Sequence, residues 1–567
     1  MPNGARPQVV QLVPPELLIK IFLELVLSSF YLTDAKQPSL YSWIPPVTRV
    51  CRRWRAIALQ AHELWSYIHA IYPDPRIALC IARSGDAPLS VIAIQADRRN
   101  PEIAVTAFRT VLPHLGRIRR LVMVGGRLCE ELQSATLRDH SASLLESLEV
   151  TESPRNPRRT IPHDAAQNPP LFLTQPLPRL KTFMWHGWQG GTSFVNVVGS
   201  NLRVLDLAFT PSAARLTWVQ WLSFLEIVPQ LEDLLLTLVV SPAPASTDGA
   251  VLPVSLPCLS HLAMHFIFLT DADNLLQHLM LPSNTRVEIS VSNFGINVQD
   301  HLRLIAAIES QLSRMLTRVD LKKRSADLLL MEFNASVIAV DVKHTTTPPP
   351  NVCMYSRWLD KASIPQSGFR LHLRGAVDRR SANGSAFSDA LFKRVCQMLD
   401  RVYLLQDFQT LMIKEGQGRE PDWDDEPFIL PPGRFQLLKE IVLEKMTDLQ
   451  TLVLKSPDIW GFATKLLSPM PSGNRRDGLT TLGDVGSSTP LLFPSLNSVS
   501  ILKRPSMYDV IAHDVPPTLD LLRQQRMVYD ARLVRCHFCA IGESSYFPLP
   551  GDKRGAGPCQ GGRTFEF

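Results

Sequence analysis

Leu202-Arg203-Val204-Leu205-Asp206-Leu207, Leu231-Glu232-Asp233-Leu234-Leu235-Leu236 and Leu259-Ser260-His261-Leu262-Ala263-Met264 share one spelling, apolar-x-x-apolar-x-apolar. The last two apolar positions are two residues apart, the spacing of one face of a strand. Upstream the same spelling appears as Ile118/Leu121/Met123, Leu145/Leu148/Val150 and Leu180/Phe183/Trp185. From Phe183 to Leu205, Leu234 and Leu262 the central positions are 22, 29 and 28 residues apart. Those intervals fall in or near a period of about 20–29 residues, which marks stacked repeats. Downstream candidates are Leu316/Val319/Leu321, Leu399/Val402/Leu404, Leu449/Leu452/Leu454 and Leu496/Val499/Ile501. Leu438/Ile441/Leu443 also matches but ends too close to Leu449 to be a repeat of its own. Context sharpens the pattern: Pro178-Arg179-Leu180, Pro229-Gln230-Leu231, Pro257-Cys258-Leu259 and Pro494-Ser495-Leu496 each put Pro-x-Leu at the start of an expected strand.

Helical stretches lie between the strands. In Leu216 to Ile227, Trp218, Trp221, Leu222 and Leu225 share a face. A strand, a turn and a helix are too small to bury their apolar faces alone, so such units stack into a curved solenoid with a parallel sheet on one side. The body from 118 to 545 therefore resembles a degenerate leucine-rich-repeat array. It lacks the Asn ladder of regular repeats, and Glu332 to Arg374 resists registration. The alternative is an irregular α/β domain without a true repeat. Ahead of the array, Arg76 to Arg83 reads as a helix, Leu89 to Ile94 as a strand, Glu102 to Leu112 as a helix and Ile118 to Val124 as a strand.

The N-terminal stretch differs in character. Val13-Pro14-Pro15-Glu16-Leu17-Leu18-Ile19-Lys20-Ile21-Phe22 opens a helix: prolines suit its first turn, and Glu16 favours the positive end of its dipole. Leu17/Leu18, Ile21/Phe22 and Leu25/Val26 recur one turn apart and read as a single apolar face. A second segment carries Val47, Val50/Cys51, Trp54, Ile57/Ala58, Ala61 and Leu64/Trp65 as an unbroken stripe, with Arg49, Arg52, Arg53 and Arg55 turned to solvent or a partner. About 60 residues make a marginal free-standing core, so the surplus apolar surface must meet the rest of the chain or another protein.

The order Pro-x-Glu, Ile-Phe, Val-Cys-x-x-Trp, Leu-Trp resembles an F-box, the helical module that joins substrate receptors to the Skp adaptor of SCF ubiquitin ligases. The resemblance implies that Val13, Pro14, Glu16, Ile21, Phe22, Val50, Cys51 and Trp54 face the adaptor and that Leu64 and Trp65 close the module. Two departures stand out. Val13 occupies a position where the family usually has Leu, and the stretch from Ser28 to Pro46 is longer than the usual connection. Many fungal F-box proteins share the overall plan of an N-terminal box and a divergent repeat body.

At 567 residues the chain exceeds one compact core. A hydrophobic share of 45% with 20% charged residues describes a globular interior, and a net charge of +6 over this length argues neither for nucleic acid nor for an anionic membrane. Nine cysteines, odd in number and irregular in spacing, read as reduced thiols of a cytoplasmic or nuclear protein. No signal-peptide pattern opens the chain, and Leu17 to Leu32 is broken by Lys20 and Glu24.

Candidate chemistry is sparse. Cys536-His537-Phe538-Cys539, with Cys559 beyond, is half of a zinc pattern and fits the apolar beat of a final strand starting at Leu533 equally well. The acidic cluster Asp422, Asp424, Asp425 and Glu426 lacks the alternating ligands and central Gly of a calcium loop. Trp185, His186 and Trp188 form an aromatic cluster suited to core packing or, less so, to an interface. No nucleophile elbow, Walker loop, zincin or kinase signature occurs.

The expectation is thus an α/β chain: an F-box helical module over 9–71, a connecting segment over 72–117, a leucine-rich-repeat-like region over 118–545 and a disordered tail over 546–567. Mobile loops are expected near 152–170, 415–427 and 469–490, with others at Ser241 to Gly249 and Thr345 to Pro350. Functionally, the chain is expected to be a non-catalytic substrate receptor without cofactor or metal. It would bind a Skp-type adaptor, and through it a cullin–RING ligase, and hold an unknown target protein on its strand-bearing face, with no nucleic acid and no membrane. The rival expectation is a ligase-independent scaffold, and a distant third is an enzyme with a site after Glu332.

Overall fold

The structure is a computed structural model that describes residues 13–31, 44–73, 75–95, 100–134, 142–151, 177–187, 195, 198–208, 216–237, 240–241, 252–265, 269–292, 298–317, 328–334, 337–343, 368–374, 389–403, 405–415, 432–455, 495, 498–503, 535–540 and 563–566. Two units divide the chain after Leu259. The connection over 32–43, the segments 152–176, 188–194, 242–251, 344–367, 416–431 and 456–494, Trp188, Leu404 and Cys559 lie outside the described residues, and so do the expectations that fall on them.

The first unit begins with three helices, α1 (Pro15–Tyr31), α2 (Ile44–Arg49) and α3 (Arg52–Gln60). A parallel sheet follows, in chain order: β1 (Tyr67–His69), β2 (Leu89–Ile94), β3 (Ile118–Val124), β4 (Ser147–Thr151), β5 (Thr182–His186), β6 (Val204–Ala208) and β7 (Asp233–Thr237). Each strand pairs in parallel with the next. The register joins Leu121, Leu148, Phe183, Leu205 and Leu234 in one row, so the repeated spelling marks equivalent rungs. These five side chains are at most 1% exposed. On the opposite face Val122, Glu149, Met184 and Leu235 are half-exposed, while Ile92 and Asp206 of the same row are buried.

The leading apolar residue of the spelling has a separate job. Leu145, Leu180, Leu202 and Leu231 each donate their N–H to the carbonyl three residues back, closing a turn just before the strand. The carbonyl of Glu146 then accepts from both Lys181 and Thr182, that of Lys181 from Arg203 and Val204, and that of Arg203 from Glu232 and Asp233. One backbone arrangement thus steps from rung to rung at the strand starts. Side chains follow it: Glu146 pairs with Arg119 and Lys181, both at 3.0 Å, and Arg203 pairs with Glu232 at 2.8 Å. Exposed pairs of this kind contribute at most about 1 kcal/mol each.

Helices cover the other face. α4 (Pro75–Arg83), α5 (Glu102–Arg109) and α6 (Gly126–Ser134) bury Ile77, Cys80, Val105, Phe108, Leu128 and Leu132. In α7 (Trp218–Ile227) the expected face of Trp218, Trp221, Leu222 and Leu225 is buried, together with Phe224. Its start is fixed by a capping box, Thr217 Oγ1 accepting from the Gln220 N–H and the Gln220 side chain accepting from the Thr217 N–H. The helix expected to run to Leu112 ends at Arg109, and a 3₁₀ turn over Leu112–Arg117 leads into β3.

In the second unit β8 (His261–His265) and β9 (Arg286–Ser292) pair in parallel, and β9 pairs in parallel with β12 (Gly368–Arg374). Between them in sequence, β10 (Leu328–Asn334) and β11 (Val337–Lys343) form a hairpin, and β11 runs antiparallel to β12. This reversal explains why Glu332 to Arg374 has no place in a parallel repeat. The parallel run then resumes from β10 through β13 (Thr410–Glu415), β14 (Thr451–Lys455), β15 (Ser498–Lys503) and β16 (Arg535–Ala540). β17 (Arg563–Glu566), inside the stretch expected to be a disordered tail, pairs antiparallel with β16.

Four helices of this unit pack in sequence order: α8 (Leu269–His278), α9 (Val298–Thr317), α10 (Asp389–Val402) and α11 (Pro432–Ile441). Ion pairs staple them, Arg401 to Glu309 at 3.2 Å and Arg434 to Asp389 at 2.8 Å. One expectation fails here. Leu399 and Val402 belong to α10, so that later candidate is not a strand at those positions; Leu316 lies in α9, and Val319 and Leu321 lie outside the described residues. An interval of three residues is shared by the strand spelling and by a helix, and burial of Leu391, Val395 and Leu399 at helical spacing decided the outcome. Cys536 and Cys539 lie in β16, and no group of three or more metal-ligating side chains occurs among the described residues. No described helix is long and apolar enough to cross a membrane.

Candidate functional site

Pro15 is the first residue of α1, and the Pro14 carbonyl accepts from the N–H groups of Leu17 and Leu18 at 3.1 and 3.2 Å. Glu16 stands exposed in the first turn. The helix then separates what the sequence reads as one face. Leu18, Phe22 and Val26 are at most 1% exposed, whereas Leu17, Ile21 and Leu25 are 43–49% exposed. Adjacent positions on a helix point about 100° apart. Two parallel apolar rows result, one facing the core and one facing solvent.

The second segment is likewise divided. α2 stops at Arg49, and Cys51 takes an extended backbone (φ −157°, ψ 168°) as the N-cap of α3, its Sγ accepting from the Trp54 N–H at 3.4 Å. The expected unbroken stripe therefore breaks at Val50-Cys51. An N-cap must leave helical geometry to satisfy the first free N–H groups, and here the thiol supplies the acceptor. The break turns Val50 outward, 55% exposed, while Val47 on one side and Ala58 on the other are fully buried. Trp54 lies half-buried against Phe22, ring centroids 5.0 Å apart and planes at 60°.

Of the four arginines expected to face outward, Arg49, Arg52 and Arg55 are exposed. Arg53 is half-buried, and its Nη2 donates to the Val13 carbonyl at 2.5 Å. That bond fixes the approach to α1. Sequence reasoning missed it, because nothing in the spacing links residues forty positions apart.

The segment closes on a 3₁₀ turn, His62–Ser66, which buries Leu64 and Trp65. Trp65 Nε1 donates to the Ala58 carbonyl at 2.8 Å, and the Arg83 guanidinium stacks on its ring, 4.5 Å from the centroid. His62 Nδ1 is 2.6 Å from the Arg83 carbonyl and so carries the proton that bonds them. The residues named from the sequence thus divide in three. Pro14, Glu16, Ile21, Val50 and Cys51 are exposed, Val13 and Trp54 are half-buried, and Phe22, Leu64 and Trp65 are interior. A fully buried side chain offers a partner nothing directly, so these last three act as packing. Leu17 and Leu25 join Ile21 on the outer row, and their signal was the four-residue spacing.

Residues 10–70 match the F-box-like family. This is an F-box domain-containing chain. No curated protein matches it. The F-box-like domain does not end at its last helix, because residues 67–69 of the matched stretch are β1 and pair with Ser90, Val91 and Ile92 of β2. α1 packs against α3, the 3₁₀ turn and β1. The F-box-like domain therefore supplies the first strand of the sheet, and its buried row rests on that sheet's edge.

Proposed function

We propose that the chain is a substrate-recognition subunit of an SCF-type cullin–RING ubiquitin ligase, with the F-box-like domain as its adaptor-binding end. One observation carries this reading. Inside the F-box-like match, Leu17, Ile21, Leu25 and Val50 are large apolar side chains left 43–55% exposed beside a well-filled interior. Apolar exposure of that kind marks a surface that another protein covers. F-box-like domains typically bind a Skp adaptor, and a row at four-residue spacing is a face a helical partner can cover.

The body, read as a leucine-rich-repeat-like solenoid, would hold a target protein on the uncovered face of its sheet. The chemistry is proximity: a bound target's lysines meet the ubiquitin-charged partner enzyme at raised effective concentration, and this chain makes or breaks no bond. Such a receptor needs no cofactor and works in cytoplasm or nucleus. The test is co-expression of the full chain with a Skp adaptor from its host, followed by pull-down, beside an Ile21→Ala/Val50→Ala variant. Capture by the wild type and loss by a variant of unchanged melting temperature supports the reading. Failure of the folded wild type to capture any host Skp adaptor overturns it and favours a ligase-independent scaffold.

A further inference from the structure

We propose that His186 and Asp206 form a proton-gated latch that fastens the end of β5 to β6 on the face of the first unit's sheet opposite the buried Leu121–Leu234 row. His186 is the last residue of β5, and its Nε2 lies 2.9 Å from Asp206 Oδ2. The register pairs Met184 with Asp206 and His186 with Ala208, so the bond runs diagonally across one rung. Exposure is unequal: the Asp206 side chain is 9% exposed and the His186 ring 36%. A carboxylate that dry requires a compensating charge, whereas the ring remains open to protons from solvent.

Among the described residues, other charges do not substitute for the proton. On β4, the strand on the far side of β5, the outward residues are Ser147, Glu149 and Thr151, and Glu149 is taken by Arg120 at 2.8 Å. On β6 they are Val204, Asp206 and Ala208, and beyond it on β7 are Asp233, Leu235 and Thr237. The hydrogen bond to Asp206 and its charge hold the imidazole above its ordinary pKa against the opposing effect of burial. A neutral imidazole can still donate from Nε2, but deprotonation replaces the charge-assisted bond with a weaker neutral one and strips the buried carboxylate of its counter-ion.

The second unit supplies a contrast. His265 of β8 stands at the same diagonal offset from Glu288 of β9, with Nε2 to Oε1 at 3.9 Å. There Arg286 reaches Glu288 at 3.4 Å and provides a permanent positive charge. At β5–β6 only the imidazolium does so among the described residues. What the latch controls is local. Gly187 follows His186 with φ +99° and donates its N–H to the Ala208 carbonyl, so the titratable pair sits where the β5–β6 ladder ends.

Hydrogen exchange of the full chain, read by mass spectrometry at about pH 6 and about pH 8 with times scaled for the intrinsic chemical rate, tests this. Peptides covering 182–187 and 204–208 are expected to lose protection at the higher pH in the wild type, while those covering 121–124 do not. His186→Gln and Asp206→Asn should each abolish that difference. Equal protection at both pH values in the wild type, or the same difference persisting in both variants, overturns the latch. The measurement involves no adaptor or target, so its outcome is independent of the proposed ligase role.

Discussion

The Arg53 guanidinium holds the backbone carbonyl of Val13, forty residues earlier, at 2.5 Å. One side chain from the third helix thereby sets where the first helix begins, and with it the position of Pro14 and the outer row behind it. A charged donor on a half-buried carbonyl contributes about 1–2 kcal/mol. Arg53→Ala should lower the melting temperature modestly and weaken adaptor capture. Arg53→Lys, shorter and without the forked donors, should recover only part of both. Capture unchanged in Arg53→Ala would show that the bond does not position the docking surface.

The two rows of α1 predict opposite phenotypes for neighbouring residues. Phe22→Ala empties a fully buried site and should cost about 3–5 kcal/mol, enough to unfold the domain's helices. Ile21→Ala should leave the thermal transition within about 0.5 kcal/mol of wild type while reducing adaptor binding. Circular dichroism melts alongside the pull-down separate them. Equal destabilisation by both would mean the outer row is covered by the chain itself.

Cys51 serves as a cap through its sulfur, a weak acceptor at 3.4 Å. Serine is among the preferred N-cap residues, so Cys51→Ser should match or exceed wild-type stability, and Cys51→Ala should lose about 1 kcal/mol. Thermal denaturation of the two variants decides it. A stable Cys51→Ala would assign the thiol no capping role.

His69 gives an acid-side prediction. Burial pushes its imidazole from 6.5 down to about 4. In the unfolded chain the ring takes up a proton near pH 6.5, while in the folded chain it stays neutral. Its contribution is therefore fully present above pH 6.5 and is lost as pH falls from there toward 4, about 3 kcal/mol in all. Urea unfolding across that window should show wild type losing stability that His69→Gln retains. Parallel curves for the two proteins would exclude His69 as the source.

Much of the strand layout was legible because a sheet covered on one side writes its burial into every second residue. Leu121, Leu148, Phe183, Leu205 and Leu234 were aligned by spelling before the register joined them. The same spelling misled at Leu399 and Val402, where a buried helix face contains the same three-residue interval. Within the F-box-like match the sequence located the helical segments but not their orientation. Ile21 and Phe22 are both apolar and adjacent, and only the packing of α1 on α3 and β1 decides which one is interior. The break at Cys51 was hidden because a thiol counts as apolar in a periodicity and as an acceptor in a cap. The β10–β11 hairpin has no repeat spelling to announce it.

Because β1 belongs both to the F-box-like match and to the sheet, the domain is no detachable cassette. Grafting residues 10–70 onto another protein would carry away an edge strand and leave β2 with a bare row of hydrogen-bonding groups, an invitation to aggregate. The fusion also ties α1 to the sheet through the 3₁₀ turn and β1. Arg83, stacked on Trp65 and bonded through its carbonyl to His62, fastens that turn to the end of α4. A partner seated on the outer row of α1 would rest on the same packing that anchors the first strand of the sheet.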